Sequence, residues 1–203
     1  RIKAIPYDRA FKVHAVLDLG VGQALAAGFY QRVGNEIHKI DYWEGEGNEG
    51  IPSLVKVCQN NPYIYCKIFV PHDAEGTEQA TEKTRLQTLK ELWSALEDNI
   101  FVVPKLGVDD GIDKGKLMFS RLWVDAQNCE KWLDLISQYR REYDEEKSMF
   151  IEKPRHDFSS HAADEYRYAA VIEDEMTNEE GGIREMNRIR QQRQSKLKNE
   201  LLP

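Results

Sequence analysis

Runs of apolar residues along the chain predict strands and helices, and the first three runs have the short spacing of strands in a meander. They cover residues 13–20, 24–33 and 36–43, and glycine-containing turns separate them. Strands joined by such short turns are expected to pair antiparallel with one another.

After the meander the pattern alternates between helical and strand-like periodicity. Predicted helices cover residues 51–60, 81–97, 112–122, 129–146 and 161–176. Further strands are predicted over residues 63–70 and 100–103, and residues 150–151 are interpreted as a short strand or a packed loop. Because the 63–70 run is apolar on both faces apart from Lys67, it is expected in the middle of the sheet. The order of elements predicts an α/β fold with helices packed on a mixed sheet.

The composition indicates one folded domain with a polar tail. The 203 residues are 41% hydrophobic, enough for a substantial core. We assign residues 1–12 to an entry linker, 13–176 to the domain and 177–203 to the tail. Residues 183–203 include six basic and two acidic side chains, which fits either an exposed helix or a disordered segment. Because the chain begins at Arg1 rather than Met, we expect it to be a fragment of a longer protein.

Charge and cysteine content narrow the class of protein. The net charge of −7 argues against non-specific binding to nucleic acid, although a local basic patch is compatible with it. No apolar run approaches 20 residues, so we expect a soluble protein that does not enter a membrane. Cys58, Cys66 and Cys129 have no metal-binding spacing, and we expect them in the core of a protein from a reducing compartment.

One acid interrupts the first apolar run. Asp18 lies within Val13–Gly20, and an ionised carboxylate in such a strand is costly to bury unless it is paired, hydrogen-bonded or bound to a cation. We interpret Asp18 as the first ligand of a catalytic metal site. The alternative is a strand-end residue whose carboxylate accepts hydrogen bonds from the turn before Gly20.

Two later acids are candidates to complete that site. Asp73 follows the predicted central strand directly, and Asp164 lies in the first turns of the last predicted helix. Three carboxylates from distant segments suit two Mg²⁺ ions about 4 Å apart, which can activate a water and stabilise the leaving oxygen of a phosphodiester. Alternatively, Asp73 belongs to an Asx turn after Pro71.

The last predicted helix presents a polar face next to a face of small residues. His161, Asp164, Glu165 and Tyr168 share one face, whereas alanines dominate the other and would let the helix approach a sheet closely. The alternative is an amphipathic helix with a solvated acidic face, in which Asp164 interacts only with the helix dipole.

Four segments of the chain together resemble the nuclease domain of the large terminase subunit of tailed bacteriophages. The segments are VLDLGVGQALAAGFYQ (16–31), FVPHDAE (69–75), DDGIDKGKLMFSRLWVDAQNCEKWLDLISQYRREYDEE (109–146) and HDFSSHAADEYRYAA (156–170). The family commonly has an Asp and a Thr or Ser in the turn after the first strand, where this chain has Gln23 and Leu25. This departure leaves Asp18 unaffected but puts substrate contacts from that turn in doubt.

The resemblance implies a ribonuclease-H-like fold with a central mixed five-stranded sheet. It implies that Asp18, Asp73 and Asp164 hold two Mg²⁺ or Mn²⁺ ions, with Asp18 bridging both. It also implies that the protein cuts concatemeric viral double-stranded DNA during genome packaging, in the cytoplasm of the infected bacterial host.

The implied partners are DNA and the other packaging components. These are the ATPase domain of the same full-length protein, the small terminase subunit and the portal ring, with the tail as a candidate docking segment. This chain has no G-x-x-x-x-G-K-[ST] loop, so it is not expected to hydrolyse ATP. The candidate contacts to the DNA backbone are Lys105, Lys114, Lys116 and Arg121; solvated helix charge is an equally good interpretation of these residues.

Two other functions agree with the sequence. One is a different nuclease of the same fold, such as a junction resolvase, which would prefer four-way junctions to linear duplex. The other is a non-catalytic adaptor of the packaging motor, which would bind no metal.

Overall fold

The computed structural model describes residues 1–20, 24–76 and 83–178, which form two sheets with helices around the larger one. The strands of the larger sheet are β1 (Ile2–Lys3), β2 (Val13–Leu19), β3 (Leu25–Val33), β4 (Glu36–Glu44), β5 (Tyr65–Val70), β6 (Ile100–Val102) and β7 (Leu122–Asp125). A separate hairpin consists of β8 (Arg141–Asp144) and β9 (Met149–Pro154). The α-helices are α1 (Ile51–Asn60), α2 (Arg85–Leu92), α3 (Val108–Phe119), α4 (Glu130–Gln138) and α5 (Ser160–Val171).

The larger sheet is mixed and has the order β1-β7-β4-β3-β2-β5-β6. The meander β2–β3–β4 is antiparallel, whereas β5, β6, β7 and β1 join it through parallel pairs. The predicted α/β class and the predicted meander are therefore confirmed. β2 lies between β3 and β5, so both of its edges are hydrogen-bonded.

The predicted number of five strands is wrong, because the sheet has seven strands in the described part of the chain. The five predicted strands correspond to β2–β6. β7 has only four residues and begins where a helix over 112–122 was predicted; its pairing with β4, rather than its own periodicity, stabilises it. β1 has two residues and pairs with β7, so part of the predicted entry linker joins the sheet. The wider domain boundaries stay a prediction.

Three predicted helices are shorter in the structure. The helix over 161–176 ends at Val171, and the 3-10 segment Glu173–Glu175 follows it. The helix over 81–97 ends at Leu92, because Trp93 has non-helical dihedral angles (φ −120°, ψ 48°). The 3-10 segment Ser94–Asn99 follows it. The helix over 129–146 ends at Gln138, and the charged residues after it form the β8–β9 hairpin. Most of the hairpin's side chains are exposed or only half-buried, so no apolar periodicity marks its strands in the sequence.

The sheet separates two apolar clusters, and β2 contributes to both. Ala15 and Leu17 pack on the side of α1 and α2, whereas Val16 packs on the side of α4 and α5. Because side chains alternate along a strand, Asp18 is on the same side as Val16 and faces α5. All three cysteines are free and buried, as predicted.

The last described residues lie against the start of the meander. His14 Nε2 is 3.1 Å from the carbonyl oxygen of Thr177, and Asn178 Nδ2 donates to the carbonyl of Arg32 at 2.7 Å. Burial lowers the pKa of His14 to about 4, so this imidazole is neutral at pH 7. Residues 179–203 of the predicted tail lie outside the described residues. Across the described ranges, no helix has the length and apolar character needed to cross a membrane.

Close packing between β3 and α5 depends on Gly28. A Cβ atom at this position would overlap the Glu165 carboxylate and would lie 2.6 Å from Lys39 Nζ. Both of these side chains are fully buried, so neither can move into solvent. We therefore expect Gly28→Ala to lower the free energy of unfolding by about 1–3 kcal/mol, as overpacked cores do. Urea denaturation measures this change, and an unchanged transition would show that the helix and strand are less tightly packed.

Candidate metal centre

Asp18 is an acid buried near the carboxyl end of a central strand. It pairs with Ala26 of β3, and only 7% of its surface is exposed. The neighbouring residues of β2 are apolar and buried, so the strand forms because of its apolar run and not because of the acid. The alternative interpretation from the sequence was that Asp18 only accepts hydrogen bonds from the following turn. It does not account for the contact of Asp18 with His161 on α5.

His161 is that partner. Its Nδ1 donates a hydrogen bond to Asp18 Oδ2 at 2.8 Å, and both side chains are about nine-tenths buried. The hydrogen bond that His161 donates to Asp18 raises the pKa of His161, and partial burial opposes this shift. His161 therefore fixes the orientation of the Asp18 carboxylate.

Asp164 lies one helical turn after His161 and approaches the same region. Its Oδ1 accepts from Arg167 Nη2 at 2.8 Å. Burial raises the pKa of Asp164; the positive charge of Arg167 opposes this shift, and the negative charge of Asp18 adds to it. Two like charges near each other in a partly buried place favour the binding of a cation.

Asp73 reaches this side of the sheet from β5. Val16 of β2 is opposite Phe69 of β5, so Asp18 lies two residues beyond that pair and Asp73 four residues beyond it. The short 3-10 helix His72–Glu75 exposes Asp73 to solvent. The carboxyl ends of these parallel strands therefore bring Asp73 to the edge where Asp18 lies, as predicted from the sequence.

Tyr168 of α5 is close to all three acids. Burial raises the pKa of its hydroxyl most, and the negative charges of Asp18, Asp164 and Asp73 all raise it further. Nevertheless, among the described residues no three His, Cys, Asp or Glu side chains form a group that could hold a metal ion. Asp18 and Asp164 are instead paired with His161 and Arg167.

The chemistry of these residues fits a divalent cation. Carboxylate oxygens are the ligands preferred by Mg²⁺ and suit Mn²⁺, and the unfavourable charge of Asp18 on Asp164 is what such an ion would neutralise. The side chains that now pair with these acids, His161 and Arg167, belong to the protein itself. The assignment of the three acids as metal ligands stays a prediction.

Glu165 differs from the sequence interpretation of a solvated acidic face. It is completely buried, and its two carboxylate oxygens accept from Lys39 Nζ at 2.6 Å and from the Tyr30 hydroxyl at 2.7 Å. Lys39 also donates to the Tyr30 hydroxyl at 2.8 Å. This buried triad of Tyr30, Lys39 and Glu165 attaches α5 to β3 and β4, so it positions the helix that carries His161 and Asp164.

The roles of Lys39 and Tyr30 were not predictable from the sequence, because their partner Glu165 is more than 120 residues away along the chain. The available signals were a lysine in the middle of the third predicted strand and Gly28 in the neighbouring strand. Neither signal identifies Glu165 as the partner without the fold.

The four basic residues proposed for DNA contact are dispersed. Lys105 is exposed and lines a cavity that Arg167 and Tyr168 also line. Lys114 and Lys116 are exposed on α3, where Lys116 pairs with Asp113 at 2.8 Å. Arg121 forms an ion pair with Glu173 at 2.6 Å. Of the four, the geometry thus associates Lys105 most directly with the candidate centre, and the role of each in DNA contact stays a prediction.

The turn that departs from the family pattern is only partly described. Leu25 is buried and pairs with Leu19 across the start of the β2–β3 hairpin. Its side chain therefore contributes to the core. Gln23 lies outside the described residues.

The Asp18–His161 pair predicts a pH-dependent contribution to stability. Because the pKa of His161 is raised above its ordinary value of 6.5, the pair stabilises the metal-free fold fully at mildly acidic pH below that value. The contribution is lost as the pH rises through the raised pKa. We therefore expect His161→Asn to reduce thermal stability more at mildly acidic than at alkaline pH, as measured by melting curves in EDTA. An equal loss at every pH would indicate that His161 contributes by packing alone.

The fold of this chain is similar to those of several solved structures. No family model matches the chain, and no curated protein matches it. Among solved structures, the large terminase nuclease domain from bacteriophage SPP1, with bound Mn, has a TM-score of 0.61 at 17% identity, covering 87% of this chain and 96% of that one. The P22 large terminase nuclease domain has a TM-score of 0.58 at 17% identity, with coverage of 85% and 88%. The large terminase nuclease from thermophilic phage G20c, with bound cobalt, has a TM-score of 0.52 at 13% identity, with coverage of 83% and 92%.

These similarities confirm the structural resemblance that the sequence motifs predicted. The chain has the ribonuclease-H-like α/β fold of the large terminase nuclease domains, with helices on a sheet of seven described strands.

Proposed function

We propose that this chain is a metal-dependent endonuclease of the terminase type, which cuts concatemeric viral double-stranded DNA during genome packaging. The observation that carries the proposal is the buried Asp18 on the central strand, faced from α5 by Asp164 in a fold shared with terminase nuclease domains. The Mn bound to the SPP1 domain supports a divalent ion as the cofactor.

Asp18, Asp73 and Asp164 are the proposed ligands of two Mg²⁺ or Mn²⁺ ions. When bound, the ions activate a water for attack on the phosphorus and stabilise the leaving 3′ oxygen. His161 holds the Asp18 carboxylate in one orientation through its 2.8 Å hydrogen bond. Arg167 holds Asp164 and offsets its charge in the metal-free protein.

The arrangement of charges also explains how DNA and metal would assist each other. Like-charged carboxylates repel, and a DNA phosphate near the same ions brings further ligands to them. Because the chain has a net charge of −7, its free form should bind DNA weakly. We infer that the ATPase domain of the full-length protein delivers the duplex.

The remaining proposed partners are the small terminase subunit and the portal ring, with the tail as the docking segment. The proposed place of action is the cytoplasm of the infected bacterial host. These proposals follow from the family resemblance and from the basic composition of residues 183–203.

A plasmid cleavage assay tests the proposed activity. Supercoiled DNA should be nicked and linearised with Mg²⁺ or Mn²⁺ and should remain intact with EDTA. Preferential cleavage of four-way junctions would instead favour a resolvase. Absence of cleavage together with absence of Mn²⁺ binding at millimolar concentration would favour a non-catalytic adaptor.

A further inference from the structure

A cavity of about 330 Å³ adjoins the candidate metal centre. It lies between the loop before α3, the start of α3 and the second half of α5. Three of its lining residues carry basic side chains, namely His72, Lys105 and Arg167. Tyr168 also lines it. None of the described residues that line it is acidic, although acids outnumber bases in the whole chain by 35 to 28.

The cationic groups of this cavity have unused capacity for an anion. Within the described ranges, no carboxylate pairs with Lys105. Arg167 donates to Asp164 through Nη2, whereas its Nε is buried and has no acceptor in the described part of the protein. A guanidinium carries five N–H donors, so one carboxylate contact does not saturate it.

Gly111 of α3 leaves room for the Arg167 side chain beside the cavity. A Cβ atom on Gly111 would lie 2.5 Å from Arg167 Cγ, so only glycine at this position leaves room for the arginine stem. Gly111 also lines the cavity. The helix is therefore built to accommodate an arginine between Asp164 and the cavity.

The position of the cavity relative to the acids suggests its ligand. His72 directly precedes Asp73, Arg167 binds Asp164, and the negative charges of all three acids act on Tyr168. A group bound in the cavity would thus be adjacent to a phosphate at the acids. We propose that the cavity holds a backbone phosphate of the DNA strand being cut, next to the cleaved phosphodiester, with Lys105 and Arg167 as its donors. This inference rests on the proposed nuclease function and identifies where the strand lies.

Backbone amide NMR spectra of the ¹⁵N-labelled chain in EDTA test the site directly, even if binding is weak. A short DNA duplex should shift the signals of residues 105–108 and 167–168, and Lys105→Ala should abolish these shifts. Shifts confined to other surfaces would overturn the proposal. The proposal would also be overturned if inorganic phosphate shifted the signals of the cavity residues while the duplex did not. The cavity would then bind a free anion and not DNA.

The salt dependence of DNA affinity gives a quantitative test. Lys105→Ala removes one phosphate contact, so the slope of log K against log salt should become shallower by about 0.9. Lys105→Arg should keep the wild-type slope, since the positive charge is retained. Lys56→Ala is the matched control, because Lys56 is an exposed lysine on α1, which packs on the other side of the sheet. Equal slopes for wild type and Lys105→Ala would contradict the proposal.

These binding experiments contain no divalent metal, so they do not depend on catalysis. If the chain binds the duplex through Lys105 but never cuts it, the phosphate site is supported and the nuclease proposal is refuted. If wild type cuts DNA and Lys105→Ala does so with the same kcat and KM, the nuclease proposal is supported and the phosphate site is refuted.

Discussion

Asp18→Asn is expected to reduce metal-dependent nicking of supercoiled plasmid below detection. An amide oxygen carries no net charge, so asparagine at this position would neither hold a divalent ion firmly nor balance the charge of a second one. Asp18 is the most buried of the three candidate acids, and its strand is paired on both sides, so the substitution acts in the interior of the proposed site. The measurement is the rate of nicking with saturating Mn²⁺.

The fold should survive this substitution. Asparagine has nearly the same shape, and its oxygen can accept the hydrogen bond that His161 Nδ1 now donates to Asp18. Loss of the Asp18 charge also removes one of the effects that raise the pKa of Asp164. Far-ultraviolet circular dichroism and a melting curve check the fold. Asp134→Asn on the exposed side of α4 is the matched control and should nick normally. Undiminished nicking by Asp18→Asn would refute the assignment of Asp18.

Glu165→Ala is expected to lower the free energy of unfolding by about 3–5 kcal/mol, the cost of leaving one member of a buried ion pair without its partner. Lys39 is fully buried and its ammonium contacts Glu165 at 2.6 Å. The surrounding rings of Tyr30, Tyr42 and Trp132 lie within 5.0 Å of the Lys39 ammonium, and they cannot replace a carboxylate. Such a loss is a large fraction of the roughly 5–15 kcal/mol typical of a folded domain. Urea denaturation measures it.

A second variant separates the unpaired charge from the loss of packing. Lys39→Met together with Glu165→Leu removes both charges while keeping apolar volume, so it should recover most of the lost stability. Asp113→Ala removes an exposed pair with Lys116 and should leave the urea transition unchanged. If Glu165→Ala were as stable as wild type, the buried triad would not hold α5 against the sheet.

The sequence was most informative where apolar periodicity and structure coincide. β2 and β5 were predictable because their apolar runs are long enough to span the sheet, and α1 because Pro52 and Asn61 lie at its two ends. Asp18 was conspicuous as the one acid in these two runs. Its contact with His161, 143 residues away, required the fold.

The errors have a common physical origin. β7 and the β8–β9 hairpin are short, and pairing with other strands, rather than local pattern, determines them. The alternative of a solvated acidic face on the last helix does not hold for Glu165, whose buried cationic partner Lys39 is 126 residues away from it in the sequence. Tertiary pairing therefore decided both the edges of the sheet and the buried charges.

The most direct test of the proposed metal centre is an anomalous difference map from crystals of this chain grown with Mn²⁺. We expect peaks bonded to the carboxylate oxygens of Asp18 and Asp164, with Asp73 as a further ligand and with Arg167 displaced from Asp164. No peak at these carboxylates at millimolar Mn²⁺, or a peak only elsewhere on the surface, would contradict the proposed centre.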